Sequence, residues 1–211
     1  MDHEQRTKAA TEQDSKLAGR IIRSLKQVED DYYLASVTYS EMLMAAAVQA
    51  IKKAVPEPFK VVESDISAAI HVAGWRATRG VGQDFSLELA ELCVEDDREY
   101  TWLTAATAVG PTRLGLELVS RPGLRDAMRA ITKEEKNLAE LYRAGFLLDE
   151  TDARLFLSIV IPPEKLAQAF EQKSLDTVMA PVTKAVEQAI SAMPGLDKII
   201  EAVRIAAKVT K

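Results

Sequence analysis

His71 and Cys93 are the two side chains of this chain that best suit nucleophilic catalysis. A cysteine thiolate next to an imidazole base can transfer an acyl group or exchange a thiol. Both residues fall in predicted neighbouring strands, so they could meet across a sheet. Cys93 is flanked by Leu92 and Val94, and a lone cysteine in apolar surroundings more often packs as a small hydrophobe. The sequence therefore favours a buried thiol, and a Cys/His enzyme ranks third among the functions that it permits.

The segment from Gly74 to Gly82 combines an aromatic ring, two guanidinium groups and flexible glycines, a composition that can hold a phosphate or stack a base. On a strand, Trp75 and Arg79 share one face and Arg76 points to the other, so the two arginines would not converge without a bulge. We retain Trp75, Arg76 and Arg79 as candidate binding residues. A core tryptophan with solvated arginines is the favoured interpretation, because tryptophan is usually largely buried.

An acidic run follows the predicted strand Phe85–Val94 and offers carboxylates that hard cations prefer. The run lacks the periodic ligand spacing of a calcium loop, and acidic turns are commonly just solvated, so we expect no metal site. Motifs for a P-loop, a zinc protease and a serine hydrolase elbow are missing from the sequence, which leans against an enzyme and against a bound cofactor. The carboxylates concerned are Glu91, Glu95, Asp96, Asp97 and Glu99.

Composition limits the class of partner. The chain has 211 residues, 27 basic and 32 acidic side chains, and a net charge of −5, which argues against a broad electrostatic grip on nucleic acid. One cysteine excludes an internal disulfide and suits a reducing compartment. Because residues 1–14 are polar and contain no apolar stretch of a secretion signal, we expect a disordered tail and a cytoplasmic protein.

An apolar stripe at alternating three- and four-residue spacing dominates the N-terminal quarter and predicts a helix from Ser15 to Val55, ended by Pro56 and Pro58. At 1.5 Å per residue such a helix would measure about 60 Å, whereas a domain of this size is roughly 40 Å across. The helix must therefore break, curve or project beyond the domain. The sequence allows either one helix or two in this segment. The stripe consists of Ala18, Ile21, Leu25, Val28, Tyr32, Ala35, Tyr39, Met42 and Ala46.

The two halves of this helix differ in their exposure. A second stripe, beginning at Leu34, makes the later half apolar on two faces and places it in the core, while the first half should rest on a surface or meet a partner. The positions flanking the first stripe lack complementary charge, which favours intramolecular packing over a self-associating coiled coil. Tyr32–Ile51 has about the length of a membrane span, but Glu41 and several hydroxyl side chains interrupt it, so we expect no membrane span.

The remainder predicts an α+β fold in which helices pack on an antiparallel meander of about four to six strands. Phe85–Val94 is the least certain strand, since its apolar residues also suit a helix. Residues 15–55 and 56–211 should form one structural unit. The predicted strands are Ile70–Thr78, Phe85–Val94, Glu99–Ala108, Arg113–Ser120, Phe146–Leu148 and Arg154–Ile161. The predicted helices are Leu124–Ala144, capped by Gly145, and those after Pro162 and Pro163, with breaks at Pro181 and at Pro194 and Gly195.

The leading functional prediction is a non-enzymatic protein–protein interaction module of adaptor, chaperone-like or regulatory type that forms homo-oligomers. It rests on a helix that outruns its domain and on the missing catalytic motifs. The alternative is a cup for a small apolar molecule or a lipid, formed between the sheet and the helix that carries Met42, Leu43 and Met44, since methionines adapt to irregular ligands.

Overall fold

The structure is a computed structural model that describes residues 15–64, 67–76, 82–92, 101–149 and 153–209. Helices and a six-stranded sheet share one core, so the α+β class is confirmed. The helices are α1 at residues 15–23, α2 Leu25–Tyr33, α3 Ser40–Ala54, α4 Trp102–Thr107, α5 Arg125–Thr132, α6 Glu135–Arg143, α7 Pro163–Glu171, α8 Ala180–Ser191 and α9 Met193–Val209. The strands are β1 Lys60–Ser64, β2 Ser67–His71, β3 Phe85–Leu92, β4 Arg113–Ser120, β5 Leu147–Asp149 and β6 Arg154–Ile159.

The predicted long N-terminal helix is present and has two irregular points. Ser24 interrupts the helical geometry between α1 and α2, where its hydroxyl donates to the carbonyl of Arg20 at 2.9 Å, a bond that commonly bends helices. A π-helical segment, Leu34–Tyr39, then joins α2 to α3. Val55 adopts an extended conformation before Pro56, so the helix ends where the sequence predicts. The run is therefore nearly continuous from residue 15 to residue 54.

The sheet is open and antiparallel, with the strand order β1-β2-β3-β4-β6-β5. The chain meanders through the first four strands. It then passes through α5 and α6, enters the sheet at the outer edge as β5, and returns as β6 beside β4. Strands β5 and β6 are therefore an antiparallel hairpin, with β5 at the edge of the sheet and β6 between β5 and β4.

Alternation along the strands puts leucines on the face that the helices cover. Leu87, Leu118 and Leu155 lie side by side on β3, β4 and β6, and all three are buried. On the other face Glu88 lies opposite Glu117, whose carboxylate accepts two hydrogen bonds from Arg154 at 3.0 and 2.6 Å. Helices α3 and α8 lie against the leucine face, so the helices lie on the apolar side of the sheet.

Several elements of the structure differ from the sequence predictions. Glu99–Ala108 was predicted as a strand, yet Trp102–Thr107 is helix α4, because the Thr101 hydroxyl caps it by accepting from the backbone N–H of Thr104. Edge strand β1 was missed, since it is largely exposed and lacks an alternating pattern. The predicted helix Leu124–Ala144 is two helices, because Glu134 is extended.

The predicted strand Ile70–Thr78 was placed too late along the chain. Strand β2 ends at His71, and a 3₁₀ turn, Ala73–Trp75, follows it. Ala77 and Thr78 lie outside the described residues. By contrast, β3 confirms the strand that was least certain.

Candidate functional site

Residues 15–34, here called the arm, carry the first half of the apolar stripe and bury none of it. Every arm residue is exposed except Gly19, which is half-buried. Ile21, Leu25, Val28 and Tyr32 are 41%, 49%, 43% and 55% exposed. The second half of the same helix behaves oppositely, since Met44 and Ile51 are buried in the core. The chain that the structure describes thus leaves an apolar helical face without a cover.

The stripe continues beyond the arm into an apolar groove. Tyr39 and Met42 form one wall, and α4 and α7 form the others, enclosing a volume of about 910 Å³. The Tyr39 ring lies 5.2 Å from the ring of Phe170, centroid to centroid, with the planes inclined by 57°. Besides those three residues, the apolar lining includes Ala35, Leu103, Val109, Pro163, Leu166, Ala167 and Leu175.

The polar groups of the groove are mostly engaged within their own helix. Thr101 and Thr104 share a hydrogen bond of 3.0 Å, and the Thr107 hydroxyl donates to the carbonyl of Leu103 at 2.8 Å. Glu171 and Lys173 are charged lining residues, and both are exposed. A ligand in this groove would therefore be held mainly by apolar contact.

Positive and negative side chains are separated along the length of the arm. Lys16, Arg20, Arg23 and Lys26 come first, with no acidic residue among them, and the triplet Glu29–Asp31 follows. Within the arm, the amide of Gln27 donates to the Asp31 carboxylate at 2.7 Å. The N-terminal part of the arm is therefore basic, and its C-terminal part is acidic.

Of the predicted binding residues, Met42 lines the groove and Met44 does not, because it is 3% exposed in the core. The predicted cup between the sheet and this helix stays a prediction. Leu43 is buried as well, and the open groove lies between helices. Sequence periodicity put Met42 on the apolar stripe, while the contribution of α4 and α7 to the groove carried no sequence signal because they come from distant parts of the chain.

Trp75 is a core residue, as the favoured interpretation predicted. It is 1% exposed, and its indole N–H donates to the Asp197 carboxylate at 2.7 Å. The Arg76 side chain is exposed, and its backbone carbonyl accepts from Arg204 at 2.9 Å. Arg79 lies outside the described residues. Of the two described residues, Trp75 is therefore buried in the core and only the Arg76 side chain is accessible.

His71 ends strand β2 and is half-buried, while Cys93 lies outside the described residues. Of the acidic run, Glu91 alone is described, and its partial burial raises the pKa of its carboxyl above the ordinary value. Among the residues that the structure describes, no three His, Cys, Asp or Glu side chains cluster as metal ligands would.

A second pocket, which is polar and has a volume of about 390 Å³, was not predicted from the sequence. Arg125 and Arg129 from α5 and Arg154 from β6 line it together with Glu117. Arg154 is already paired with Glu117 in this pocket. The residues come from three separate elements, so no local pattern could have identified the pocket.

One further property of the long helix concerns membranes. Leu25–Ala54 is long and apolar enough, by length and composition, to cross a bilayer, and a third of its most apolar window is buried inside the protein. Buried core helices pass the same test. The absence of a membrane span stays a prediction.

Comparison with known proteins adds no assignment. No family model, no curated protein and no solved structure matches this chain. The uncovered stripe of the arm and the groove that continues it are the candidate functional site.

Proposed function

We propose that this protein is a non-enzymatic interaction module that self-associates through the apolar stripe of its arm. The observation that carries the proposal is the contrast within one helix, whose later half buries one face in the core while Ile21, Leu25 and Val28 remain accessible. Large contiguous apolar patches on soluble proteins usually mark interaction sites. Covering this stripe would remove apolar area from water at about 25 cal/mol per Å².

The length of the helix supports the proposal. An arm of 20 residues extends about 30 Å, enough for a helix-on-helix interface of several turns. A second helix with the same three- and four-residue spacing can interlock its side chains with this stripe. Since every copy carries that spacing, another copy of the chain is a suitable partner.

The test is to measure the mass of the native particle by light scattering coupled to size-exclusion chromatography. We expect an oligomer at twice the 23.2 kDa chain mass or more. In the variant carrying Ile21→Gln and Leu25→Gln, the dissociation constant of the oligomer should rise at least tenfold. This rise corresponds to a loss of about 1.4 kcal/mol of association free energy. Ile205→Gln is the matched control, because Ile205 is a similarly exposed isoleucine on a helix, α9, outside the arm. A monomeric wild type, or equal effects of both variants, would refute the proposal.

The groove favours a second candidate function, binding of a small apolar molecule or a lipid chain. Its apolar lining and its volume of about 910 Å³ fall within the range of ligand pockets. We expect dodecanoate to bind in calorimetric titration, and Ala167→Trp to abolish the binding by filling the groove. Gln168→Trp is the control, since Gln168 is exposed on the same helix and does not line the groove. No heat with the wild-type protein would exclude this candidate for dodecanoate.

A further inference from the structure

We infer that two copies of the arm pair antiparallel, about a two-fold axis that passes between Lys26 and Gln27. The inference rests on the proposed function, and it identifies the partner surface and its orientation. The same patch then serves on both copies, which gives a closed dimer.

Charge decides the orientation. In a parallel pair, the basic residues from Lys16 to Lys26 of both copies would run side by side, and so would the two acidic triplets Glu29–Asp31. An antiparallel pair centred between Lys26 and Gln27 instead sets Arg23 of each arm at the level of the other arm's acidic triplet. Lys16, Arg23 and Asp30 lie on the side of the helix away from the stripe, so these charges act through solvent over a longer range and favour one orientation most strongly at low ionic strength.

The spacing of the stripe then selects the register. With the axis between Lys26 and Gln27, Leu25 meets the partner's Val28 and Ile21 meets the partner's Tyr32, so the exposed large apolar residues of the stripe find apolar partners. A register one heptad further along puts the axis at Asp30. That register sets the two acidic triplets against each other, which like-charge repulsion disfavours.

The described ends of the arm fit this overlap. Ala18 and Ala35 are opposed in the chosen register, and two small residues allow close approach at both ends of the interface. Residue 35 is also where the helix becomes half-buried and the groove begins, so the paired region ends where the globular domain starts. The overlap therefore uses the part of the stripe that lies in the arm.

The experiment measures the distance between two copies of one spin label in the full chain. The label is placed at Lys16→Cys in a Cys93→Ser background, because residue 16 is exposed and outside the stripe. Antiparallel pairing separates the two labels by about 21 residues along the helix, roughly 30 Å, whereas parallel pairing leaves them about one interhelical distance apart, near 10 Å before the label linkers are added.

A second label at Lys26→Cys, next to the proposed axis, is the matched control and should give a short distance. A long distance at residue 16 with a short one at residue 26 supports the inference. A short distance at both positions overturns it while leaving self-association intact. A monomeric mass with no dipolar signal at either position refutes the proposed function itself, so the two failures are distinguishable.

Discussion

The indole N–H of Trp75 donates to the carboxylate of Asp197 at 2.7 Å, across 122 residues of sequence. The bond ties the turn after β2 to the last helix, α9, and accounts for a tryptophan that is 1% exposed yet has a polar atom. Trp75 is thus a structural anchor, and the adjacent Arg76 is left at the surface.

Removing the acceptor should destabilise the protein. Asp197→Ala leaves a buried indole N–H without its partner, which costs about 1–2 kcal/mol of unfolding free energy in a denaturant titration. Asp197→Asn is the control, because its amide oxygen can still accept the bond. Equal stability of the alanine variant and the wild type would contradict the anchoring role.

A second cross-chain contact involves a buried carboxylate between two arginines. Asp84 accepts from Arg121 at 2.6 Å and from Arg204 at 3.2 Å, and its side chain is 4% exposed. Asp84→Ala leaves Arg204, whose side chain is only 18% exposed, without its carboxylate partner, so we expect this variant to lower the unfolding free energy by about 3 kcal/mol. Arg121→Ala should cost less, since Arg121 is half exposed and Arg204 still neutralises Asp84. A larger loss for Arg121→Ala than for Asp84→Ala would be inconsistent with this ranking.

Glu91 should give the stability a pH dependence. Burial raises its folded pKa above the ordinary value of 4.5, so the folded state binds this proton more tightly than the unfolded chain does. The stability associated with Glu91 is complete below the unfolded pKa and is lost as the pH rises through the folded pKa. We expect Glu91→Gln to be the more stable protein at neutral pH, with a difference that shrinks towards pH 4 in thermal unfolding. A difference that grows on acidification would have the wrong sign.

Glu140 should act in the opposite direction. A hydrogen bond and the positive charge of Lys198 lower the pKa of its carboxyl, and the two Lys198 Nζ–carboxylate distances are 2.7 and 2.8 Å. This contribution is present above the unfolded pKa and is lost as the pH falls through the folded pKa. The effect of Lys198→Met on thermal stability should therefore shrink as the pH falls below 4.5, and a pH-independent effect would indicate packing instead.

Ionic strength should distinguish the two arm orientations without any mutation. Antiparallel arms attract each other through their charges, so raising NaCl from about 0.05 to about 0.5 M should raise the dimer dissociation constant several-fold. Sedimentation equilibrium at several salt concentrations measures it. A dissociation constant that falls with salt would indicate that like charges face each other.

Features that depend only on neighbouring residues could be predicted from the sequence. Three- and four-residue spacing places side chains on one side of a helix whatever surrounds it, so the long N-terminal helix and its apolar face followed from the residues alone. Local signals also fixed several ends: Pro56 follows the end of α3, Gly145 has φ +96 after α6, and Pro181 stands in the first turn of α8.

The tertiary structure decided what depends on residues distant in sequence. Glu99–Ala108 has strand-like composition, yet a Thr101 cap and the burial of Ala105 and Ala106 against the rest of the protein make its described part a helix. The groove exists only because α3, α4 and α7 converge from three parts of the chain. Helix propensity and periodicity act over a few residues, whereas a cavity is a property of packing between elements, so only the folded chain could show where the apolar face opens into a groove.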